Sequence, residues 1–173
     1  MPGAWDGFEL AIRAVLGQQI TVAAAIRLAG RLVAAYGEPL AEPTDTLTHV
    51  FPTAEVLAQA DLTNLGMPRC RAATLSSVAA AAIGNPDLFG ANCDLEEAIA
   101  RLRSIRGVGE WTAQYIALRQ LREPDAFPAA DVGLMRALAD GQGRRPSAHK
   151  LLERAEAWRP WRAYAAQHLW ASG

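Results

Sequence analysis

Cysteine and lysine are scarce in this chain, and each shortage excludes chemistry. The 173 residues include two cysteines, Cys70 and Cys93, and no CxxC pair. That excludes a disulfide scaffold, a thiolate zinc site and a four-cysteine iron–sulfur cluster. The three histidines, His49, His149 and His168, are scattered and lack the i, i+4 spacing of a helical metal site. Of 17 basic residues a single one, Lys150, is a lysine, so Schiff-base chemistry has one side-chain candidate. Long apolar runs are also missing: a run such as Val78–Ile83 falls far short of the ~20 residues that span a bilayer. The start Met1-Pro-Gly-Ala-Trp-Asp has no basic stretch followed by an apolar one, so no signal peptide is expected and the protein reads as cytoplasmic. A net charge of -1 offers no global positive field. Any nucleic-acid contact must therefore be local, which argues against a general DNA coat and not against a compact DNA enzyme.

What is present is an ordinary globular balance, 51% hydrophobic and 20% charged, at the length of one domain. The 36 alanines favour helix throughout. Asp6 with Glu9 reads as a capping box opening a helix that reaches Gly17. Thr21 can cap a second, with Ala25, Leu28, Leu32 and Ala35 on one face and Gly37 at its end. Thr53 starts a short third; Pro68 suits the first turn of a fourth that runs toward Gly84. Asp94 with Glu97 opens another, and a helix over Glu110–Leu121 follows a glycine-bounded turn. Further helices are expected over Val132–Ala139, Ala148–Ala157 and Trp161–Trp170. No stretch alternates with period two, so no sheet is expected. The expectation is an all-α fold of about nine helices, one cooperative unit over residues 1–173 in two lobes.

The stretch Leu102-Arg-Ser-Ile-Arg-Gly-Val-Gly-Glu-Trp-Thr112 carries the most information. One helix ends, Gly107 and Gly109 flank the single apolar Val108, and another helix begins at once. Paired glycines let the backbone turn sharply and approach another molecule closely. The first N–H groups of the second helix lack intrahelical partners and favour an anion. With Arg101, Arg103 and Arg106 alongside, the natural anion is a phosphate. The pattern resembles a helix-hairpin-helix, which holds DNA backbone without reading sequence; by itself, G-x-G is equally a tight interhelical turn. In Phe127-Pro-Ala-Ala-Asp-Val-Gly-Leu-Met135, Asp131 sits just before a helix and locally reads as an N-cap. The ending Trp158-Arg-Pro-Trp-Arg-Ala-Tyr-Ala-Ala-Gln-His-Leu-Trp170 places Trp161, Tyr164, His168 and Trp170 at mixed spacing, which a wholly buried face would not use. Trp111 and Tyr115 lie one turn apart on the hairpin's second helix.

A hairpin, a helix and a loop delivering one aspartate is the arrangement of the helix-hairpin-helix DNA glycosylases. The chain resembles the catalytic part of their alkylation-repair branch, the 3-methyladenine DNA glycosylase II family. The matching segments, in order, are Asp6-Gly-Phe-Glu, Leu16-Gly-Gln-Gln-Ile-Thr-Val, Phe51-Pro-Thr, Leu65-Gly-Met-Pro, Arg106-Gly-Val-Gly-Glu-Trp-Thr-Ala, the Phe127-Pro…Asp131 loop and Trp158-Arg-Pro-Trp-Arg. The resemblance implies that Asp131 is the catalytic aspartate and that Trp111, Tyr115 and Trp170 line the base pocket. It implies that Gly107, Val108, Gly109, Thr112 and Arg106 meet the DNA backbone, and that Gln19 with Ile20 fills the gap left by an extruded base. It further implies a monovalent cation, Na+ or K+, on the main-chain carbonyls of Arg103, Ile105 and Val108, and no cofactor for catalysis. The partner so implied is double-stranded DNA carrying a damaged base, met by a monomer at the nucleoid.

Several positions depart from the family pattern. Arg106 stands where the hairpin commonly has proline, Gln19 where leucine often serves, and Ala171 where the pocket has an aromatic. Relatives that also cut the strand carry a lysine where this chain has Trp111, so a monofunctional enzyme is expected. The bacterial member has a β-rich N-terminal domain, and this chain begins where that domain would end. Two other readings remain: a non-catalytic hairpin module that binds DNA, and a glycosylase for deaminated or oxidised bases. Those neutral bases call for directed hydrogen bonds, whereas an aromatic wall suits an alkylated, cationic purine.

Overall fold

Capping side chains start most of the helices, and they are the ones the sequence offers. The computed structural model describes residues 2–90 and 93–172. Asp6 caps α1 (Gly7–Leu16) by accepting from the Glu9 amide at 2.7 Å. The reciprocal half of that box is not used, because the Glu9 carboxylate turns to Arg13 at 2.6 Å. Thr21 caps α2 (Val22–Tyr36), Thr53 caps α3 (Ala54–Gln59), and Asp94 caps α5 (Leu95–Arg103). Between them α4 (Arg69–Gly84) begins after Pro68, which occupies the cap position rather than the first turn. The remaining helices are α6 (Glu110–Ile116), α7 (Val132–Ala137, capped by Asp131), α8 (Ala148–Ala155, capped by Ser147) and α9 (Arg162–Ala171).

Three expectations need correction. The helix expected to reach Leu121 is α-helical only to Ile116 and continues as a π-helical turn over Ala117–Leu121, closed by Arg122 at φ 59°. A wide turn of this kind leaves no mark in hydrophobic periodicity. Secondly, a two-stranded antiparallel pair exists: β1 (Glu38–Pro39) faces β2 (His49–Val50), with Glu38 opposite Val50. Strands of two residues are too short for alternation to register. Thirdly, the buried stripe of α2 is Leu28, Ala29 and Leu32, while Ala35 is exposed.

Helix α1 is the central element. Ala11, Ile12, Ala14, Val15 and Leu16 are buried, and α1 packs against α2, α4 and α6. Helices α3 and α4 close one side, and α5 packs on α6. The C-terminal helices form a second group: α7 packs on α9, and α8 leads through a short 3-10 turn (Glu156–Trp158) into α9. A charged clamp fastens this group to the loop that leads to Asp131. Buried Arg162 donates from Nε and an Nη to the two carboxylate oxygens of Asp125 at 2.8 and 2.9 Å, and the Ala163 amide donates to the Pro124 carbonyl at 2.9 Å. Among the described residues no helix is long and apolar enough to cross a membrane.

Candidate active site

The hairpin is set by one glycine more than by the other. Gly107 sits at φ +87°, and a Cβ there would lie 1.9 Å from the Thr74 hydroxyl oxygen of α4. Its close approach on the Cβ side is thus to this chain's own helix. Gly109 is the open one: it caps α6 with extended backbone, and a Cβ would meet nothing within 4 Å. Nothing inside the fold requires glycine there. Val108 is buried, and its amide donates to the Ile105 carbonyl at 3.0 Å, so the hairpin uses that N–H internally. The three arginines differ as well. Arg103 pairs with Glu110 across the turn at 3.0 Å, Arg101 reaches toward the Gly90 carbonyl, and Arg106 is exposed.

The α1–α2 connection lies against this hairpin. Gln18 donates from its amide to the hydroxyl of buried Thr112 at 2.9 Å and to the Gly107 carbonyl at 3.3 Å. Arg71 of α4 in turn donates to the Gln18 carbonyl. The next residue, Gln19, is exposed and held at φ 57°, a left-handed conformation costing a non-glycine residue about 1–2 kcal/mol. Ile20 packs partly into the core beside it. The structure therefore brings Gln19 and the hairpin together, tied by a residue that sequence reasoning did not single out.

Asp131 is both an N-cap and an acceptor. Its Oδ1 accepts from the Leu134 amide at 3.0 Å and from the Trp170 indole at 2.8 Å; its Oδ2 accepts from the Trp111 indole at 2.9 Å. Two aromatic side chains from α6 and α9 thereby orient one carboxylate that begins α7. Tyr115 stacks on Trp111 with centroids 5.3 Å apart and 15° between planes, and meets Trp170 edge-on at 6.2 Å. Gly133 makes room for this: a Cβ there would sit 2.9 Å from Asp131 Oδ1 and 3.1 Å from the Trp170 ring. The signal for Gly133 was available, since glycine inside a helix asks for a packing reason. Trp161 and Tyr164, in contrast, are exposed and contact each other edge-on at 5.7 Å, away from this cluster's hydrogen bonds.

A cleft of about 530 Å³ opens on the other flank of Trp111, lined among others by Ile99, Phe127, Ala130 and Leu152. Asp131, Tyr115 and Trp170 are not in its lining, so it is distinct from the carboxylate cluster. Among the described residues no group of three or more His, Cys, Asp or Glu side chains is placed to hold a metal. The expected cation ligands are instead carbonyls, those of Arg103 at the end of α5 and of Ile105 and Val108 in the turn. Hard oxygen donors of this sort suit a monovalent cation, although Ile105 already accepts from Val108.

Comparison with known proteins gives the family and the fold. The sequence matches the HhH-GPD superfamily base excision DNA repair protein family over residues 12–163. It is 44% identical to the "Probable bifunctional transcriptional activator/DNA repair enzyme AlkA" of Mycobacterium tuberculosis, covering 99% of this chain and 34% of that protein. It is 38% identical to "DNA-3-methyladenine glycosylase 2" of Escherichia coli, covering 98% of this chain and 59% of that one. The chain thus spans between a third and three-fifths of these relatives. Among solved structures it superposes on the 3-methyladenine DNA-glycosylase of Archaeoglobus fulgidus with a TM-score of 0.82 at 28% identity, covering 98% of this chain and 59% of that one. The Schizosaccharomyces pombe 3-methyladenine DNA glycosylase, solved with abasic DNA, gives 0.78 at 26% identity, covering 98% and 81%. With a match that runs from α1 into α9, the chain belongs to the HhH-GPD superfamily of base excision DNA repair proteins.

Proposed function

We propose that this chain excises alkylated purines from duplex DNA by hydrolysing the N-glycosidic bond and leaves an abasic site. The observation that carries the reading is the single carboxylate of Asp131, aimed by two indole N–H groups beside a stacked aromatic wall. A base within a duplex is out of reach, so the nucleotide has to be extruded and the gap filled. Gln19, exposed on a strained backbone next to the hairpin, suits that wedge, with Ile20 behind it. The open backbone at Gly109, the first amides of α6 through Thr112 and the exposed Arg106 suit the DNA backbone. A cation on the Arg103, Ile105 and Val108 carbonyls would add local positive charge beside a phosphate; no chemical step depends on it.

An N3- or N7-alkylated purine is already cationic and leaves without a general acid, which fits a site with one carboxylate. Trp111, Tyr115 and Trp170 attract such a base, at about 0.5–2 kcal/mol per cation–π contact. As the C1′–N bond breaks, positive charge moves to the sugar, and ionised Asp131 stabilises it. Water then bonds to C1′ and gives its proton to solvent, while the base departs neutral. No cofactor is required for these steps. Trp111 occupies the place of the Schiff-base lysine, and Lys150, the one lysine, lies at the start of α8. Monofunctional action is the reading these positions support, and the chain is proposed to act as a monomer.

The test is incubation of the chain with methylated duplex DNA. Release of 3-methyladenine is expected, with strands that break only when alkali is added. A folded chain that binds DNA and releases no base would favour the binding module. Strand breaks without alkali in clean protein would contradict monofunctional action.

A further inference from the structure

One cation belongs to the aromatic wall itself. Arg119 lies in the π-helical turn that continues α6, one turn beyond Tyr115, as Trp111 lies one turn before it. Its guanidinium carbon is 5.9 Å from the Tyr115 ring centre and 5.4 Å from that of Trp170. Its Nε is buried without a hydrogen-bond partner among the described residues, and one Nη reaches the Pro2 carbonyl at 3.4 Å. None of the ion pairs among the described residues includes it. The charge is thus balanced chiefly by two π faces, and they belong to the two residues read above as the base pocket. A π-turn widens the helix at this point and carries the side chain onto the rings; such turns recur at functional sites.

Resting on the glycosylase reading, we propose that Arg119 is a specificity-determining residue: its fixed charge on the pocket wall assists the departure of neutral damaged purines and weakens the hold on cationic ones. When the C1′–N bond breaks, the bonding pair goes to the base, so the charge on the base falls by one whatever the substrate. A cationic alkylpurine becomes neutral; a neutral lesion becomes an anion, which then takes a proton from water as the remaining hydroxide bonds to C1′. A nearby guanidinium favours that fall in both cases. Before the bond breaks, however, it repels only the cationic base. Relative to free enzyme and DNA, the transition state of a neutral lesion gains from Arg119, and that of an alkylpurine, still partly positive, does not. At a separation near 9 Å and an effective dielectric of about 20, a half-unit of charge amounts to roughly fivefold in rate.

The experiment compares the parent with Arg119→Met and Arg119→Lys in single-turnover release of 7-methylguanine and of hypoxanthine, the neutral probe, from matched duplexes. The Met variant should lose about fivefold in kcat/KM for hypoxanthine and gain by about the same factor for 7-methylguanine, whose KM should fall more than its kcat. The Lys variant, which keeps the charge, should keep the parent's ratio of the two. Equal losses on both substrates in both variants would mean that Arg119 is only a brace for Tyr115 and Trp170, and would overturn the proposal. A parent that releases 7-methylguanine and no hypoxanthine would overturn it as well. A parent that releases neither base overturns the glycosylase reading and this inference together. Helix content and unfolding temperature accompany each variant, and Arg119→Gln replaces Met should the latter not fold.

Discussion

The hairpin and the Asp131 cluster share helix α6 and are built by opposite means. On the hairpin side the determinants are backbone: a glycine at positive φ pressed on Thr74, an open glycine at the cap, a strained Gln19 tied in by Gln18. On the pocket side they are side-chain groups brought from distant parts of the chain: Trp111, Asp131 and Trp170 joined by two indole hydrogen bonds, with Arg162 and Asp125 clamping α9 behind them. Backbone fit suits a partner whose phosphates repeat regardless of sequence. Directed side chains suit one bond in one nucleotide. The contrast separates what should fail when each half is damaged: shape and grip on one side, rate on the other.

The pocket side's clamp and the hairpin's Gly107 should give the largest effects on stability. Arg162→Met takes the bidentate partner from the largely buried Asp125 carboxylate and leaves it Arg159 at 3.0 Å, so the loss of stability should be about 3 kcal/mol, the lower end for a broken buried pair, read from denaturant unfolding. Asp125→Asn made together with it should cost less than the two changes summed, since the shared Arg162–Asp125 pair is then lost only once. On the hairpin side, Gly107→Ala combines positive φ with a 1.9 Å clash, and about 2–4 kcal/mol should be lost. Thr74→Ala should recover part of that, because it removes the nearest atom and leaves the backbone strain. Affinity for undamaged duplex should fall with Gly107→Ala and hold with Trp170→Phe.

Smaller effects sharpen the same contrast. Trp170→Phe keeps an aromatic ring and removes one donor to Asp131, so base release should slow about tenfold to a hundredfold at unchanged affinity. Gln19→Gly should stabilise the fold by about 1 kcal/mol by relieving its left-handed backbone, and slow release from duplex more than from single strands. That opposition of sign, more stable and less active, is what a wedge held under strain predicts. Asp140 serves as a control outside both halves. Hydrogen bonds from the Arg144 amide, the Arg144 side chain and the Gln142 amide hold its carboxyl below the usual range. Since its pKa is depressed in the folded state, the support it gives the 140–144 turn is present at neutral pH and is lost as pH falls through that lowered value. Asp140→Asn at neutral pH should quicken amide exchange at Gln142 and Arg144, while activity and global stability stay level.

Much of this was legible in the sequence, for a physical reason. Caps are local: Asp6, Thr21, Thr53, Asp94 and Ser147 each accept from an amide three residues on, and each was visible as the right residue before an apolar run. The glycine pair and the lone aspartate after it were visible too, and the order of segments identified the family. Distant contacts were not. Nothing near Gly107 announces Thr74, and nothing near Asp131 announces which indoles reach it. Asp131 also shows that two local readings need not compete, since one oxygen both caps α7 and accepts from Trp170. The π-turn escaped because a single wide turn does not disturb periodicity, yet it is what lays Arg119 on the Tyr115 and Trp170 rings.

The central claim is that the Asp131 carboxylate, and not the grip on DNA, supplies the rate. Single-turnover release of 3-methyladenine by the parent and by Asp131→Asn, with duplex affinity measured on the same samples, tests it most directly. Asparagine keeps the cap acceptor and nearly the same shape and loses only the hydrogen bond from the Trp111 indole, so the variant should fold and bind DNA while release falls by several powers of ten. Release at the parent's rate from a folded Asp131→Asn variant would contradict the account.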